Sequence, residues 1–269
     1  MKSLAVLALA FVSASAAHGQ LFTVLPVEPA APGAWATAGP RPKCGAIVGV
    51  EVDALSATLA KAPLQRLDAP LATYGMTISL PGPTGELIEC VIAESPVMEP
   101  GLQERFPQMR TYLAESLDGT ASGRIELTQR GLTGMLRTTH DDGAVWMIDP
   151  WQSGDPLHAV AYWLRDLPGG GDWVCETAEG VHGFGTPEAE VAQRGGGTRA
   201  FQILRTLRIA IACTGEYGVY HSQLQGRPPN IPDPLAAIVT VVARSNVVYE
   251  ADLGVHFNLV ANNLSLIHI

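Results

Sequence analysis

Short stretches in which apolar and polar residues alternate dominate the middle of the chain, between Tyr74 and Arg165. Alternation with a period of two is typical of strands that bury one face, and Gly, Asp and Pro stand near the ends of these stretches. The stretches cover residues 76–80, 87–93, 110–114, 124–128, 132–138, 145–148 and 159–163. The sequence Pro-Gly-Pro-Thr-Gly separates the first two, so residues 76–93 are expected to form a hairpin. Together they predict an antiparallel sandwich or a barrel-like sheet.

A different pattern occupies the C-terminal part, where helical spacing lies between two apolar runs. Residues 205–217 and 255–261 are predicted as strands because apolar residues alternate in them. Six residues between them fall on one helical face: Leu235, Ile238, Val239, Val242, Asn246 and Tyr249. Asp233 is expected to cap this helix, Pro234 to take its first position and Gly254 to end it. A helix between two such strands predicts a right-handed parallel βαβ unit, so the fold class is mixed α+β.

The start of the chain carries the features of an exported protein. Residues 1–19 are predicted to be a secretory signal peptide, with a lysine before an apolar run at residues 4–12 and cleavage after Ala16 or Gly19. The apolar run is too short to span a bilayer, so the mature protein is expected to be secreted and free of the membrane. Residues 20–73, rich in Pro and Ala, are predicted as a leader.

Composition narrows the function classes without naming one. The chain has 269 residues, of which 47% are hydrophobic and 16% charged, and its formal net charge is -9. This content is enough for a sizeable core, and the negative charge argues against a nucleic-acid partner. Residues 180–202 are rich in Gly and are predicted as a linker. Their basic residues fit a processing site and an ordinary interdomain connector equally well.

Two stretches resemble one protein family. The run RSNVVYEADLGVHFNLVANN places Asn246 and Tyr249 near the end of a helix that precedes an apolar strand. It is similar to the first helix and second strand of reprolysin-like (adamalysin-type) zinc metallopeptidases, which are metzincins. The order of ISLPGPTGELIECVIAESPVMEPGLQERFPQMRTYLAESLDG, LTGML and VWMIDP looks like the propeptide of the bacterial members. The resemblance implies a β-rich propeptide at residues 74–179 and the start of a catalytic domain at residues 203–263.

The resemblance also implies a function, namely a secreted zymogen that hydrolyses peptide bonds in proteins or peptides with zinc as its cofactor. It further implies that the propeptide packs against its own catalytic domain. In the family, the zinc ligands and the general base stand in H-E-x-x-H-x-x-G-x-x-H on a later helix. No two of the seven histidines here lie four residues apart, so this chain is expected to be inactive. Residues 264–269, LSLIHI, are interpreted as an artefactual tail on a truncated gene model, with a natural terminus as the alternative.

The four cysteines leave their pairing open. Cys44, Cys90, Cys175 and Cys213 can form two disulfides in three ways, in a compartment that permits them. In related zymogens, a propeptide cysteine at the relative position of Cys175 supplies a thiolate to the catalytic zinc and blocks the position of the water. Glu176 follows here where animal relatives have Gly. A structural cysteine or a disulfide partner therefore stays open for Cys175.

Three further groups of residues are candidate catalytic or metal-binding sites. His182 lies close to Cys175 in the sequence, but catalytic Cys-His pairs are usually distant in sequence. His140, Asp141 and Asp142 are a candidate metal-binding group, although the Asp-Gly pair that begins at Asp142 is typical of a hairpin turn. Glu216 follows the first C-terminal strand and is a candidate carboxylate ligand, with a strand-end charge as the alternative.

Asn246 and Tyr249 identify the family but are not expected to perform chemistry. On an apolar face they are expected to make core hydrogen bonds, such as one from the Tyr hydroxyl to a backbone carbonyl. The competing function is a non-enzymatic, secreted, β-rich binding module. A partial catalytic domain can be distinguished from such a binding module, because the partial domain is expected to expose the apolar side chains of its unfinished sheet. These are Ile209, Ile211, Phe257 and Leu259.

Overall fold

The computed structural model describes residues 21–26, 42–139, 144–168 and 204–267. It is a mixed α+β protein dominated by a nine-stranded antiparallel sheet, here called the large sheet. Its strands are β1 (Phe22–Val24), β2 (Ala46–Val50), β3 (Met76–Pro81), β4 (Leu87–Glu94), β5 (Arg110–Ser116), β6 (Ala121–Thr128), β7 (Gly131–Thr138), β8 (Val145–Gln152) and β9 (Asp155–Trp163). The seven strands predicted from alternation are confirmed, three of them longer than predicted by one residue and four by two to four residues.

The large sheet curls until its two ends approach each other. Its order is β1-β2-β9-β8-β7-β6-β5-β4-β3, so β3 to β9 follow one another as a meander. Residues 76–93 form the expected hairpin, in which Ile78 faces Cys90. A methyl group added at Gly85, in the turn of this hairpin, would lie 3.6 Å from Cγ1 of Val24 in β1. This proximity gives the sheet a nearly barrel-like shape.

Alternation explains how the interior of the large sheet is filled. In β6, Ile125 and Leu127 point into the core, and in β8 Trp146 and Ile148 do the same. A helix, α1 (Val52–Leu59), adds Leu55 and Leu59, both fully buried, to this interior. Strands β1 and β2 lie within residues 20–73, the predicted leader, and β2 pairs with β9.

Residues 204–267 form a smaller part, here called the C-terminal unit. It contains β10 (Arg205–Ile209), α3 (Gly215–Leu224), α4 (Pro232–Leu253) and β11 (Val255–Leu259). Strands β10 and β11 pair in parallel, which confirms the predicted parallel arrangement. Gly254 ends α4 with a φ of 63°, in the left-handed region that glycine adopts without strain, so the predicted stop is correct.

Two details of the C-terminal prediction are wrong. The first strand ends at Ile209, and residues 215–217 begin α3, because the Thr214 side chain accepts a hydrogen bond from the Tyr217 N–H and starts a helix there. Asp233 does not cap α4, which begins at Pro232. Instead, Oδ1 of Asn230 accepts from the Asp233 N–H at 3.0 Å, so the capping side chain lies three residues earlier.

A short helix, α2 (Pro100–Gln103), lies in the connection between β4 and β5. The residues before it run beside β11. Leu259 donates its N–H to the Val97 carbonyl at 2.8 Å, and its carbonyl accepts from the Glu99 N–H at 2.9 Å. This connection therefore joins the edge of the C-terminal unit as a short strand-like segment.

Candidate functional site

Only some of the residues singled out from the sequence lie in the part of the chain that the structure describes. Cys175 and His182, together with His140 and its two aspartates, lie outside the described residues. Glu216 lies in the first turn of α3 rather than at the end of a strand. Cys44 is exposed, Cys90 and Cys213 are buried, and no disulfide joins these three described cysteines. Asn246 and Tyr249 remain, and both lie in α4.

Asn246 fastens α4 to β11. Its side chain is fully buried, its Nδ2 donates to the Phe257 carbonyl at 2.9 Å, and its Oδ1 accepts from the Phe257 N–H at 2.7 Å. One amide thus satisfies both backbone groups of a residue on the strand. The expectation of a satisfied hydrogen bond in the core is confirmed for Asn246.

Tyr249 behaves differently from the expectation. Its side chain is 41% exposed, and its ring meets the edge of the Phe257 ring with the centroids 4.9 Å apart. The prediction that it makes a hydrogen bond in the core is wrong, because the ring lies at the surface. Tyr249 instead packs against Phe257, in the middle of β11, by a ring contact.

Replacing Asn246 with Ala should destabilise the C-terminal unit. The change leaves the buried N–H and carbonyl of Phe257 without their partner, at a cost of about 2 kcal/mol in the free energy of unfolding. Urea denaturation followed by circular dichroism measures this cost. Asn262→Ala, at an exposed asparagine of the same unit, is the matched control and should leave the midpoint unchanged. Equal midpoints for the two variants would refute the bridging role of Asn246.

The main polar feature of the molecule lies where α4 crosses the outer face of β6 and β7. Two residues of β6 that alternate with its core residues carry charges there, and both Arg124 and Glu126 have only 2% of their surface exposed. Arg124 Nη2 donates to Glu250 Oε1 at 2.6 Å and to Ser95 Oγ at 2.9 Å, and Nη1 donates to the Ser95 carbonyl at 3.1 Å. The guanidinium therefore ties the large sheet to α4.

Glu250 is the shared acceptor of this cluster. Its Oε1 also lies 2.6 Å from Nδ1 of His256, and the same Nδ1 lies 3.4 Å from Arg124 Nη2. Burial by itself would raise the pKa of Glu250, but the hydrogen bond from His256 and the charge of Arg124 outweigh it. The pKa of Glu250 is therefore below its ordinary value. Arg124, Glu250 and His256 are called the latch cluster below.

A second, half-buried ion pair lies about two turns before Glu250 in α4. Arg244 Nη2 donates to Asp149 Oδ1 in β8, and the Tyr162 hydroxyl donates to the other carboxylate oxygen of Asp149 at 2.7 Å. Burial raises the pKa of Tyr162, and the neighbouring carboxylate raises it further, so the hydroxyl remains a donor. Asp149 is thus held from both sides, by the helix and by the sheet.

Two further ion pairs complete the contact at its edges. Arg137 of β7 lies 2.8 Å from Asp252 of α4, with both side chains partly exposed. Glu99 Oε1 lies 2.5 Å from Nε of Arg208, and its Oε2 accepts from the Ala261 N–H at 2.8 Å. The hydrogen bond from Arg208 keeps the pKa of Glu99 below its ordinary value. In all four pairs, one partner comes from residues 42–168 and the other from the C-terminal unit.

An apolar cluster accompanies the charges. Met98, Leu102 and Met109, from the connection before β5, pack against Leu235 and Val239 of α4. Leu259 belongs to the same cluster and is fully buried, so the expectation that it lies exposed is wrong. Ile209, Ile211 and Phe257 are half-buried. The large sheet and its connection thus cover most of the apolar surface that the C-terminal unit alone would expose.

A cavity of about 400 Å³ lies in the C-terminal unit. Ile211, Cys213, Tyr217, Ile238 and Val241 line most of it, and its walls are mainly apolar. His221, in α3, is partly enclosed, and burial lowers its pKa to about 4. The imidazole therefore stays neutral through the physiological range.

No match identifies the family of this chain. A search of family models finds none that matches, and comparison with curated proteins likewise gives no match. No solved structure matches either. Among the described helices, none combines the length and the apolar character needed to cross a membrane. The class that the structure itself defines is a mixed α+β protein whose C-terminal unit is held against a large antiparallel sheet by four ion pairs, one of them buried, and by an apolar cluster.

Proposed function

We propose that this chain is part of a secreted zinc metalloendopeptidase precursor, in which the large sheet belongs to the propeptide and the C-terminal unit opens the catalytic domain. One observation carries the proposal: the C-terminal unit is seated on the large sheet by four ion pairs and an apolar cluster. A propeptide that is held against its own catalytic domain requires such a contact. In addition, the parallel strands and Asn246 fall within the segment that resembles the family.

Zinc is the cofactor that this proposal implies. Within the described residues, no three His, Cys, Asp or Glu side chains lie close enough together to hold a metal ion. These residues therefore do not fit a zinc site, and no catalytic step is assigned to them. Cys175 keeps its proposed role as an inhibitory zinc ligand of the zymogen. The proposal implies protein or peptide substrates for the full-length protein. It also implies that the propeptide binds the catalytic domain of the same chain.

The second candidate is a non-enzymatic, secreted binding module, and a separate observation favours it. The side chains that an unfinished catalytic sheet should expose are covered in part or in full, as Leu259 is. The large sheet also borders a mainly apolar groove of about 390 Å³. The groove is lined by Leu64, Glu94, Pro96, Met98, Pro100, Gln103, Glu104, Pro107 and Arg110.

Reading the genomic DNA beyond the codon for Asn263 tests the proposal directly. The expected result is an open frame that continues into H-E-x-x-H-x-x-G-x-x-H, because that motif supplies the zinc ligands and the general base. A stop codon directly after Ile269 in authentic DNA would contradict the peptidase proposal and favour the binding module.

Activity measurements separate the roles of the parts. The 269-residue chain should not hydrolyse peptides, and chelator-sensitive hydrolysis by the pure chain would contradict the assignment of catalysis to residues outside it. In the full-length precursor, Cys175→Ala should release activity before propeptide cleavage if the thiolate occupies the zinc. Cys44→Ala, at an exposed cysteine, is the control and should leave the precursor silent.

A further inference from the structure

We propose that the latch cluster is an acid-sensitive device that holds the C-terminal unit on the large sheet until Glu250 takes up a proton. The physiological meaning of this release, separation of a propeptide from its catalytic domain, rests on the proposed function. The device itself rests only on the contacts of Arg124, Glu250 and His256.

The geometry makes one carboxylate oxygen the centre of the contact. Arg124 Nη2 and His256 Nδ1 both lie 2.6 Å from Glu250 Oε1, one reaching it from β6 and the other from β11. Both nitrogens donate to an ionised carboxylate, which accepts without donating. Protonation of Glu250 therefore weakens two hydrogen bonds at once. It also leaves the guanidinium 3.4 Å from the imidazole with no negative charge between them.

The charges around the latch cluster do not replace Glu250. Glu126, on the same strand as Arg124, accepts from the Thr133 hydroxyl, and it faces Arg130 and Arg244 as well as Arg124. From β7, Arg137 is engaged by Asp252 of α4. From the connection after β4, Ser95 offers Arg124 only neutral oxygens. Arg124 has only 2% of its surface exposed, so loss of its main counter-charge leaves a buried cation.

The sign of the pH dependence follows from the direction of the pKa shift. The pKa of Glu250 in the folded protein lies below its ordinary value of 4.5. A group with a lowered pKa stabilises the folded state above its unfolded pKa, and this contribution is lost as pH falls through the folded value. The contact is therefore fully held at neutral pH and weakens progressively below about pH 4.5, as Glu250 takes up its proton. The pKa of Glu99 is lowered as well, so the ion pair between Glu99 and Arg208 also weakens as the pH falls.

Hydrogen exchange on the full chain, read by mass spectrometry between pH 7 and pH 3 and expressed as protection factors, tests this device. We expect protection of residues 232–253 and 255–259 to fall progressively as the pH falls from 4.5 to 3, while residues 121–138 keep theirs. Glu250→Gln preserves the size of the side chain but not its charge. It should lose protection in α4 and β11 already at pH 7, by at least as much as the unmodified chain loses at pH 3, with the large sheet unchanged.

The control and the opposing outcomes are defined by the same measurement. Glu89→Gln, at an exposed position of β4, should exchange like the unmodified chain at every pH. The proposal is overturned if α4 and β11 of the Glu250→Gln variant keep their full protection at pH 7. It is also overturned if the large sheet loses protection together with them. Neither readout involves zinc or peptide hydrolysis, so a failed latch leaves the peptidase proposal intact, and a closed reading frame leaves the latch intact.

Discussion

Trp146→Ala should lower the free energy of unfolding by about 3–5 kcal/mol, the usual cost of truncating a large aromatic side chain in a packed core. Trp146 lies in β8 with 1% of its surface exposed and belongs to the interior of the large sheet. The same interior receives side chains from β2, β4, β6 and α1. The cavity would therefore open where several strands converge and where the curled sheet has little freedom to collapse.

Trp146→Phe separates the two contributions of the indole. The Nε1 of Trp146 is buried and has no hydrogen-bond partner in the part of the chain that the structure describes. Removing this unsatisfied donor offsets part of the lost packing, so Phe should cost about 1 kcal/mol or less. Chemical denaturation followed by far-ultraviolet circular dichroism measures both variants. A cost for Phe close to that for Ala would show that the indole N–H is satisfied after all.

Strands β3 to β9 of the large sheet could be predicted because burial there follows the simplest rule. Between residues 74 and 165 one face of each strand is apolar, and turn residues stand near the ends. The parallel pair at the C-terminus was predictable for the same reason, with Gly254 ending the helix between its strands. In both cases the local sequence pattern and the position in the tertiary structure favour the same secondary structure. Strands β1 and β2 were missed because they lie in residues 20–73, where the Pro- and Ala-rich composition predicts a leader.

The latch cluster could not be predicted because its sequence pattern has another, commoner meaning. Arg124 and Glu126 alternate with Ile125 and Leu127, which is the pattern of a strand with one solvated face. Only the arrival of α4 over that face turns the charges into buried partners. Glu250 and His256 come from residues far along the chain. Nothing local indicates that they meet Arg124.

The errors in the C-terminal unit share a cause, which is competition between short-range signals. Thr214 reads as the end of an apolar strand, yet its hydroxyl caps α3. Asp233 is a good capping residue, yet Asn230 performs the capping, and Asp233 pairs with Arg227 at 2.8 Å. In each segment the local sequence is compatible with more than one structure, and the tertiary structure decides which one forms.

Removing the two sides of the main ion pair should have unequal costs. Glu250→Met leaves Arg124 enclosed without its carboxylate, which should cost about 3–5 kcal/mol. Arg124→Met leaves Glu250 partly exposed and still bonded to His256, so it should cost about 1.5–3 kcal/mol. Urea denaturation, followed by the helical signal to which α4 contributes as the longest helix, measures these costs.

The double variant Arg124→Met/Glu250→Met decides whether the pair acts as a unit. With no buried charge left, it should cost less than Glu250→Met alone, because the penalty of the single variant is mainly that of an unpaired guanidinium. Arg66→Met, in the exposed pair with Asp68, is the matched control and should produce no measurable change. Strictly additive costs would mean that Arg124 and Glu250 stabilise the contact independently. The C-terminal unit would then be held mainly by the apolar cluster around Leu259.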